Sequence, residues 1–238
     1  MENSKKTVVI ATIKSWNIKN AIRFKKSFGH VYKVEIITNK ENLTVERLNN
    51  LKPDYIFFPH WSWIIPKEIY ERFNCVVFHI ADLPYGRGGS PLQNQIIRKI
   101  YRTKISAIKV SEGIDTGDIY LKEDFYIGIG SAEEIFIRAS EIIFFKMIPY
   151  ILENEIIPYK QTGEVLEFRR RKPEESNITT ANINSLEDFY DFIRMLDAEG
   201  YPRAFIRIGN LKIEFYNASL RSNKIIGIFE VVPYKEEL

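Results

Sequence analysis

The chain has 238 residues, 45% hydrophobic and 13% aromatic, enough to fill the core of one medium domain or of a large and a small one. Its 34 Lys and Arg against 31 Asp and Glu leave a formal net charge of +3, which by itself is no nucleic-acid footprint. A single cysteine, Cys75 in an apolar run, excludes a disulfide within the chain and reads as a buried thiol. No apolar window reaches membrane length, so a cytoplasmic protein without membrane contact is expected.

The first half alternates β-branched runs with helical periodicity. "TVVIATI" predicts a buried strand, and "NIKNAIRFKKSF" a surface helix. "VYKVEIIT" and "DYIFFP" predict two further strands, separated by a helical "TVERLNNL". "PKEIYERF" opens a helix on proline, and "CVVFH" is a fourth strand. This βαβα rhythm predicts a Rossmann-like α/β fold: a mainly parallel sheet with helices on both faces and ligands beyond the carboxyl ends of its strands. After a helix from Pro91, "KISAIKV" and "DIYLKEDFYI" read as strands joined by the turn "SEGIDTGD". "SAEEIFIRASEIIFFKMIPYILEN" is one long helix with a capping box at Ser131 and Glu134. A polar stretch reads as an extended linker. A capped helix and three short strands then form a small α+β appendage. The expected division is a catalytic domain over 1–155, a linker over 156–184 and a carboxyl-terminal domain over 185–238.

No phosphate loop, dinucleotide fingerprint or nucleophile elbow is present, and "YGRGGS" lacks the Lys-Ser/Thr ending of a phosphate loop. Three scattered histidines and one cysteine predict no metal site. His30 reads as a surface residue, and His60, between aromatics in "FPHWSW", as a packed structural one. His79 differs: it ends a central strand, and "IADLPYGRGGSP" after it has little side chain to cover it. A general base needs a partner that fixes its tautomer. "SEGIDTGDIY" offers Asp115 and Asp118, either of which could instead cap its own turn.

"FHIADLPYGRGGSP" followed by "GIDTGDIY" resembles the amino-terminal domain of the 10-formyltetrahydrofolate-dependent formyltransferases. That family's pattern is a strand ending in Asn-x-His, then Leu-Pro, Arg-Gly and Pro, then Asp-x-Gly-Asp. Here these fall on His79, Leu83-Pro84, Arg87-Gly88 and Pro91, with Asp115 at the family's spacing, 36 residues beyond His79. "WSWIIP" is similar to the family's aromatic loop before a helix, and "RRRKPEES" with "FYDFIRMLDAEGYPRAF" to its linker and following helix. The resemblance implies 10-formyltetrahydrofolate as co-substrate and no metal, with His79 as base and Asp115 orienting it. It places the pterin among Trp63, Ile64, Ile65, Arg87, Gly113, Ile114 and Asp118. One position departs: the family Asn two residues before the histidine is Val77 here. Losing such an oxyanion donor costs about 2.7–4 kcal/mol. Three readings stay open: Asn94 on the next helix replaces it, protonated His79 carries the charge, or the chain has lost transfer activity.

Within the family it resembles, members acting on initiator tRNA carry a larger carboxyl-terminal barrel and basic surface. With a short tail and slight net charge here, the resemblance implies a nucleotide-linked 4-amino-deoxy sugar, on dTDP or UDP, as acceptor and no nucleic acid. Lys14, Trp16, Asn17 and Tyr85 are the expected sugar and phosphate contacts, and Gly86, Gly88 and Gly89 let the backbone approach the ligands. Trp16 could equally be helix packing. The alternatives are another amine acceptor, such as methionyl-tRNA, or a folate- or nucleotide-binding protein without transfer chemistry. Strand edges and an aromatic tail lead to a homodimer as the expected assembly.

Overall fold

The computed structural model describes residues 5–234. Strands form where the β-branched runs predict them: β1 (Thr7–Ala11), β2 (Lys33–Ile37), β3 (Tyr55–Phe58) and β4 (Cys75–His79). A short β5 (Tyr85–Gly88) lies inside the glycine-rich stretch, where the sequence predicts only loop. β6 (Arg102–Lys109) and β7 (Ile119–Tyr126) complete a six-stranded sheet in the order β2-β1-β3-β4-β6-β7. The first four strands are parallel; β6 runs antiparallel to β4, with Ser106 opposite His79. The result is the expected mainly parallel, Rossmann-like α/β arrangement.

Period-2 alternation explains the core. Val9, Ala11, Ile56, Phe58 and Cys75 gather on one face with Leu48 and Ile69, while Val8, Ile10 and Phe57, also buried, point to the other. Burial pushes the Cys75 thiol up to about 12, which keeps it protonated. Helix α1 (Ser15–Phe28) buries Phe24 against Phe144, ring centroids 6.4 Å apart. α2 (Val45–Leu51) is capped by Thr44, whose hydroxyl accepts from Arg47 N at 3.2 Å. α3 (Lys67–Tyr70) is a single turn, shorter than its sequence pattern.

α4 (Pro91–Ile97) starts on its proline. The predicted long helix is present in three parts: α5 (Ala132–Ile142), a π-helical stretch Ile143–Met147, and α6 (Ile148–Glu153). Its capping box forms, with Glu134 N donating to Ser131 Oγ and Ser131 N to the Glu134 carboxylate. The wider turns precede Pro149, which has no N–H to give and whose ring crowds the preceding turn.

The predicted linker holds more structure than expected. Tyr159 exchanges backbone hydrogen bonds with Ile119, β8 (Leu166–Phe168) follows, and two 3₁₀ turns span Pro173–Ser176 and Ile178–Thr180. The tail comprises α7 (Leu186–Arg194) and an antiparallel sheet of β9 (Ala204–Ile208), β10 (Leu211–Arg221) and β11 (Lys224–Pro233).

Two compact units interleave along the chain, unlike the three consecutive segments expected. One takes in residues up to Arg87, Thr103–Phe125 and Ile137–Glu167; the other takes in Gly88–Arg102, Tyr126–Phe136 and the chain from Phe168. α7 explains the second grouping. Its buried Asp191 binds Lys99 and the Tyr101 hydroxyl, and its buried Arg194 donates to the Ile127 and Gly130 carbonyls. Among the described residues no helix is long and apolar enough to cross a membrane.

Candidate active site

His79 ends β4 and is only 8% exposed. Its Nδ1 lies 3.3 Å from Asp115 Oδ2, and its Nε2 lies 2.7 Å from the Gly86 carbonyl oxygen. Both ring nitrogens therefore face acceptors, one from each of two turns. Lys122 fastens the turn leading to Gly86, donating to Asp82 Oδ1 and to the Leu83 carbonyl, each at 2.5 Å. Ser106, across from His79 in the sheet, donates to the Ala81 carbonyl at 2.7 Å.

Asp115 sits in the turn between β6 and β7 with a left-handed backbone, φ +54°, a region that aspartate tolerates better than most residues. Thr116 Oγ1 donates to the Glu112 carbonyl at 2.7 Å, and Lys109 N donates to the Asp118 carbonyl at 2.8 Å. Gly117 is required here: a Cβ would fall 1.6 Å from the Lys109 carbonyl oxygen. The Asp118 carboxylate pairs with Lys160 at 3.0 Å.

Gln161, from the predicted linker, is a site residue that sequence reasoning misses. Its amide bonds Arg87 on one side and the carbonyls of Asp115 and Gly117 on the other. Nothing in a polar, aperiodic stretch marks it out; only the folded chain brings it to this turn.

The residues expected around the pterin divide by burial. Ile65 belongs to the core cluster of β1 and β3 and is unavailable as an open wall. Ile64 and Ile114 stand 92% and 71% exposed, and Trp63 is partly exposed with its ring edge-on to Trp61, centroids 4.8 Å apart. Gly113 has φ +91° beside Ile114. A pocket lined by Lys40, Leu43, Trp61, Trp63, Ile64 and Pro66 opens next to this loop. Fully burying an exposed isoleucine is worth about 1.5–3 kcal/mol, which these side chains forgo.

The remaining expected residues have other roles in the structure. Asn94 Nδ2 donates to the carbonyls of Gly89, Ser90 and Arg169, each at 3.1 Å, and its Oδ1 accepts from Arg98. Both amide hydrogens are engaged, so Asn94 has none to offer an oxyanion here. Val77 packs on Leu83, Ile108 and Ile119, filling an apolar place where the family amide would sit. Trp16 and Asn17 are buried in the first turn of α1, with Trp16 edge-on to His60 at 5.7 Å. Lys14 precedes that helix at φ +71°. Tyr85 is half-buried, its N–H donating to the Asp82 carbonyl. Gly88 and Gly89 abut the chain's own backbone, not open ligand space: a Cβ on Gly89 would meet Arg170 Cβ at 2.4 Å. Among the described residues no group of three His, Cys, Asp or Glu could hold a metal ion.

A strand-end histidine 3.3 Å from a turn aspartate, on a mainly parallel sheet, is an arrangement suited to moving a proton. Residues 5–138 match the family model described as formyl transferase, and the chain belongs to that family. Residues 173–232 match a second model, described as the methionyl-tRNA formyltransferase C-terminal domain. The structure called methionyl-tRNA formyltransferase from Clostridium thermocellum is 58% identical, with a TM-score of 0.93 over 96% of this chain and 100% of that one. The methionyl-tRNA formyltransferase of Clostridium perfringens is 33% identical over 127 residues, 51% of this chain. The matched stretch is 41% of that relative's length. A 4-N formyltransferase from Francisella tularensis shares the fold at 18% identity and TM-score 0.65, covering 98% of this chain and 99% of that one.

These findings overturn the nucleotide-sugar acceptor and the exclusion of nucleic acid. The inference from a short tail fails because that tail itself matches the methionyl-tRNA formyltransferase C-terminal model. Inferring from net charge fails because a sum over the chain does not say where its cations lie. The sugar contacts expected of Lys14, Trp16, Asn17, Tyr85, Gly86, Gly88 and Gly89 lapse with that acceptor.

Proposed function

We propose that this chain transfers a formyl group from 10-formyltetrahydrofolate to the amine of methionyl-tRNA. The observation that carries the acceptor is the 58% identity to the Clostridium thermocellum protein over nearly the whole of both chains. For the chemistry, the support is the His79–Asp115 pair, 3.3 Å apart at a strand end. The donor's flat pterin has exposed apolar side chains to meet in Trp63, Ile64 and Ile114.

In this reading the neutral amine attacks the formyl carbon and becomes cationic as a tetrahedral intermediate forms. His79 takes that proton through Nε2, so the incoming amine displaces the Gly86 carbonyl from it. Asp115 holds Nδ1–H and stabilises the imidazolium. Collapse then expels the folate nitrogen, which takes the proton from the His79 imidazolium and restores the neutral ring. With Val77 apolar and Asn94 committed elsewhere, protonated His79 is the group left to balance the oxyanion.

The test is formylation of methionyl initiator tRNA by purified protein and 10-formyltetrahydrofolate, read by mass spectrometry of the released aminoacyl ester. Formyl-methionine should appear with wild type and fall by about 10²- to 10⁴-fold in His79→Asn. No product from wild type, with intact substrates, would overturn the reading.

A further inference from the structure

We propose that Gln161 is a positioning residue of this site, closing a ring of contacts that holds the two turns facing the His79 imidazole before substrate enters. Gln161 lies between α6 and β8 and is half-buried. Its Oε1 accepts from Arg87 Nε at 3.0 Å and Nη2 at 2.8 Å. Its Nε2 donates to the carbonyls of Asp115 and Gly117, each at 2.8 Å. Two lone pairs and two hydrogens are thus all used, the full capacity of a side-chain amide.

Each end of this clamp leads through the chain to a group facing the imidazole. Arg87 directly follows Gly86, whose carbonyl lies 2.7 Å from His79 Nε2. The Asp115 backbone that Gln161 grips carries the carboxylate 3.3 Å from Nδ1. The circuit runs from His79 through Asp115, Gln161, Arg87 and Gly86 back to His79. It spans three stretches distant in sequence, and Gln161 is the member that ties the two turns together.

The chemistry of the contacts selects the residue. The two carbonyls require donors, and the guanidinium requires an acceptor, so one side chain must supply both. Glutamate keeps the Arg87 arm but sets oxygen lone pairs against the carbonyls. Asparagine is one methylene too short, about 1.5 Å of reach. Asp115 needs such a grip because its left-handed backbone is disfavoured in isolation. Freed from its carbonyl anchor, the turn would relax and the carboxylate would leave Nδ1.

The inference rests on the proposed role of His79 as base, whereas the ring itself is independent of the acceptor. The experiment separates the two. Full-length wild type, Gln161→Ala and Gln161→Glu are compared by ¹⁵N NMR of the histidine rings, with His79 assigned through His79→Asn. Turnover of 10-formyltetrahydrofolate and methionyl-tRNA is measured alongside. Both variants should move the His79 ring signals while leaving those of His30 and His60 in place. Both should lower kcat by about 10- to 100-fold, with KM for each substrate within about twofold. Unchanged His79 signals in either variant would overturn the inference, as would a Gln161→Glu enzyme with wild-type turnover, which would mean that anchoring Arg87 alone suffices. Should Gln161→Ala fail to fold, Gln161→Glu decides. A wild type that formylates no methionyl-tRNA counts against the acceptor alone, because the ring signals still decide Gln161.

Discussion

Asp115 shows how much surrounding structure one carboxylate requires. Its backbone is left-handed, φ +54°, and three neighbours hold the turn: Thr116 bonds back to Glu112, Lys109 bonds Asp118, and Gln161 takes two carbonyls. Gly117 makes the close return of this turn possible. Alanine there would put its Cβ 1.6 Å from the Lys109 carbonyl oxygen, a backbone atom at the end of β6 that cannot simply rotate away. Gly117→Ala should therefore lower stability by about 1–3 kcal/mol, the usual range for overpacking. Activity should suffer more, because shifting a reacting group by about 1 Å costs about 10²-fold. Denaturant unfolding and single-turnover formylation would read the two effects. A variant with wild-type turnover would show that the turn tolerates the shift, and that the Asp115 geometry matters less than its distance to His79 implies.

At the scale of elements, α7 is held by buried charge more than by its short length. Asp191 accepts from Lys99 at 2.8 Å, the Tyr101 hydroxyl at 2.6 Å and Arg194 Nε at 2.7 Å. Arg194 is 1% exposed, so its charge has no recourse to water. Burial by itself would lower the Lys99 pKa, yet its bonds to Asp188 and Asp191 outweigh that and raise it. A raised lysine contributes its stability fully below the unfolded value of about 10.4, so this tie is intact at neutral pH and fades only in strong alkali. Removing one partner of such a cluster strands the other. Asp191→Ala should cost about 3–5 kcal/mol by denaturant unfolding at pH 7. Adding Arg194→Met should recover part of that loss, since an apolar side chain of similar length leaves no unpaired charge. A double variant less stable than Asp191→Ala would refute the account and point to the arginine's two backbone carbonyl bonds as the larger contribution.

For the whole molecule, the sequence reveals what is periodic or locally spaced and conceals what depends on tertiary approach. Val8, Val9 and Ile10 mark a strand buried on both faces, and the Ser131–Glu134 box marks a helix start, because both signals are local. His79 and Asp115 are legible as a pair only through the spacing of a known pattern. Gln161 carries no such mark, and the approach of Phe168 and Arg170 to Gly88 and Gly89 has no local signature either. The acceptor is misread for a related reason, since net charge discards position. In the run Arg169–Lys172, Arg169 pairs with Glu175 at 2.7 Å. Arg171 is half-buried over the Phe192 ring, where burial pulls its pKa below the usual arginine value. Arg170 and Lys172 are exposed, two cations that a chain-wide sum of +3 hides. A tRNA acceptor should bind with log K falling linearly against log salt, each neutralised phosphate contributing a slope of about 0.7–0.9. Arg170→Ala with Lys172→Ala should reduce that slope by about one to two and weaken binding most at low salt. Fluorescence titration of labelled methionyl-tRNA from 50 to 200 mM salt, about the range over which such contacts are lost, would measure both. An unchanged slope in the double variant would place the phosphate contacts elsewhere on the chain, and a flat salt response in wild type would argue against a nucleic-acid acceptor altogether.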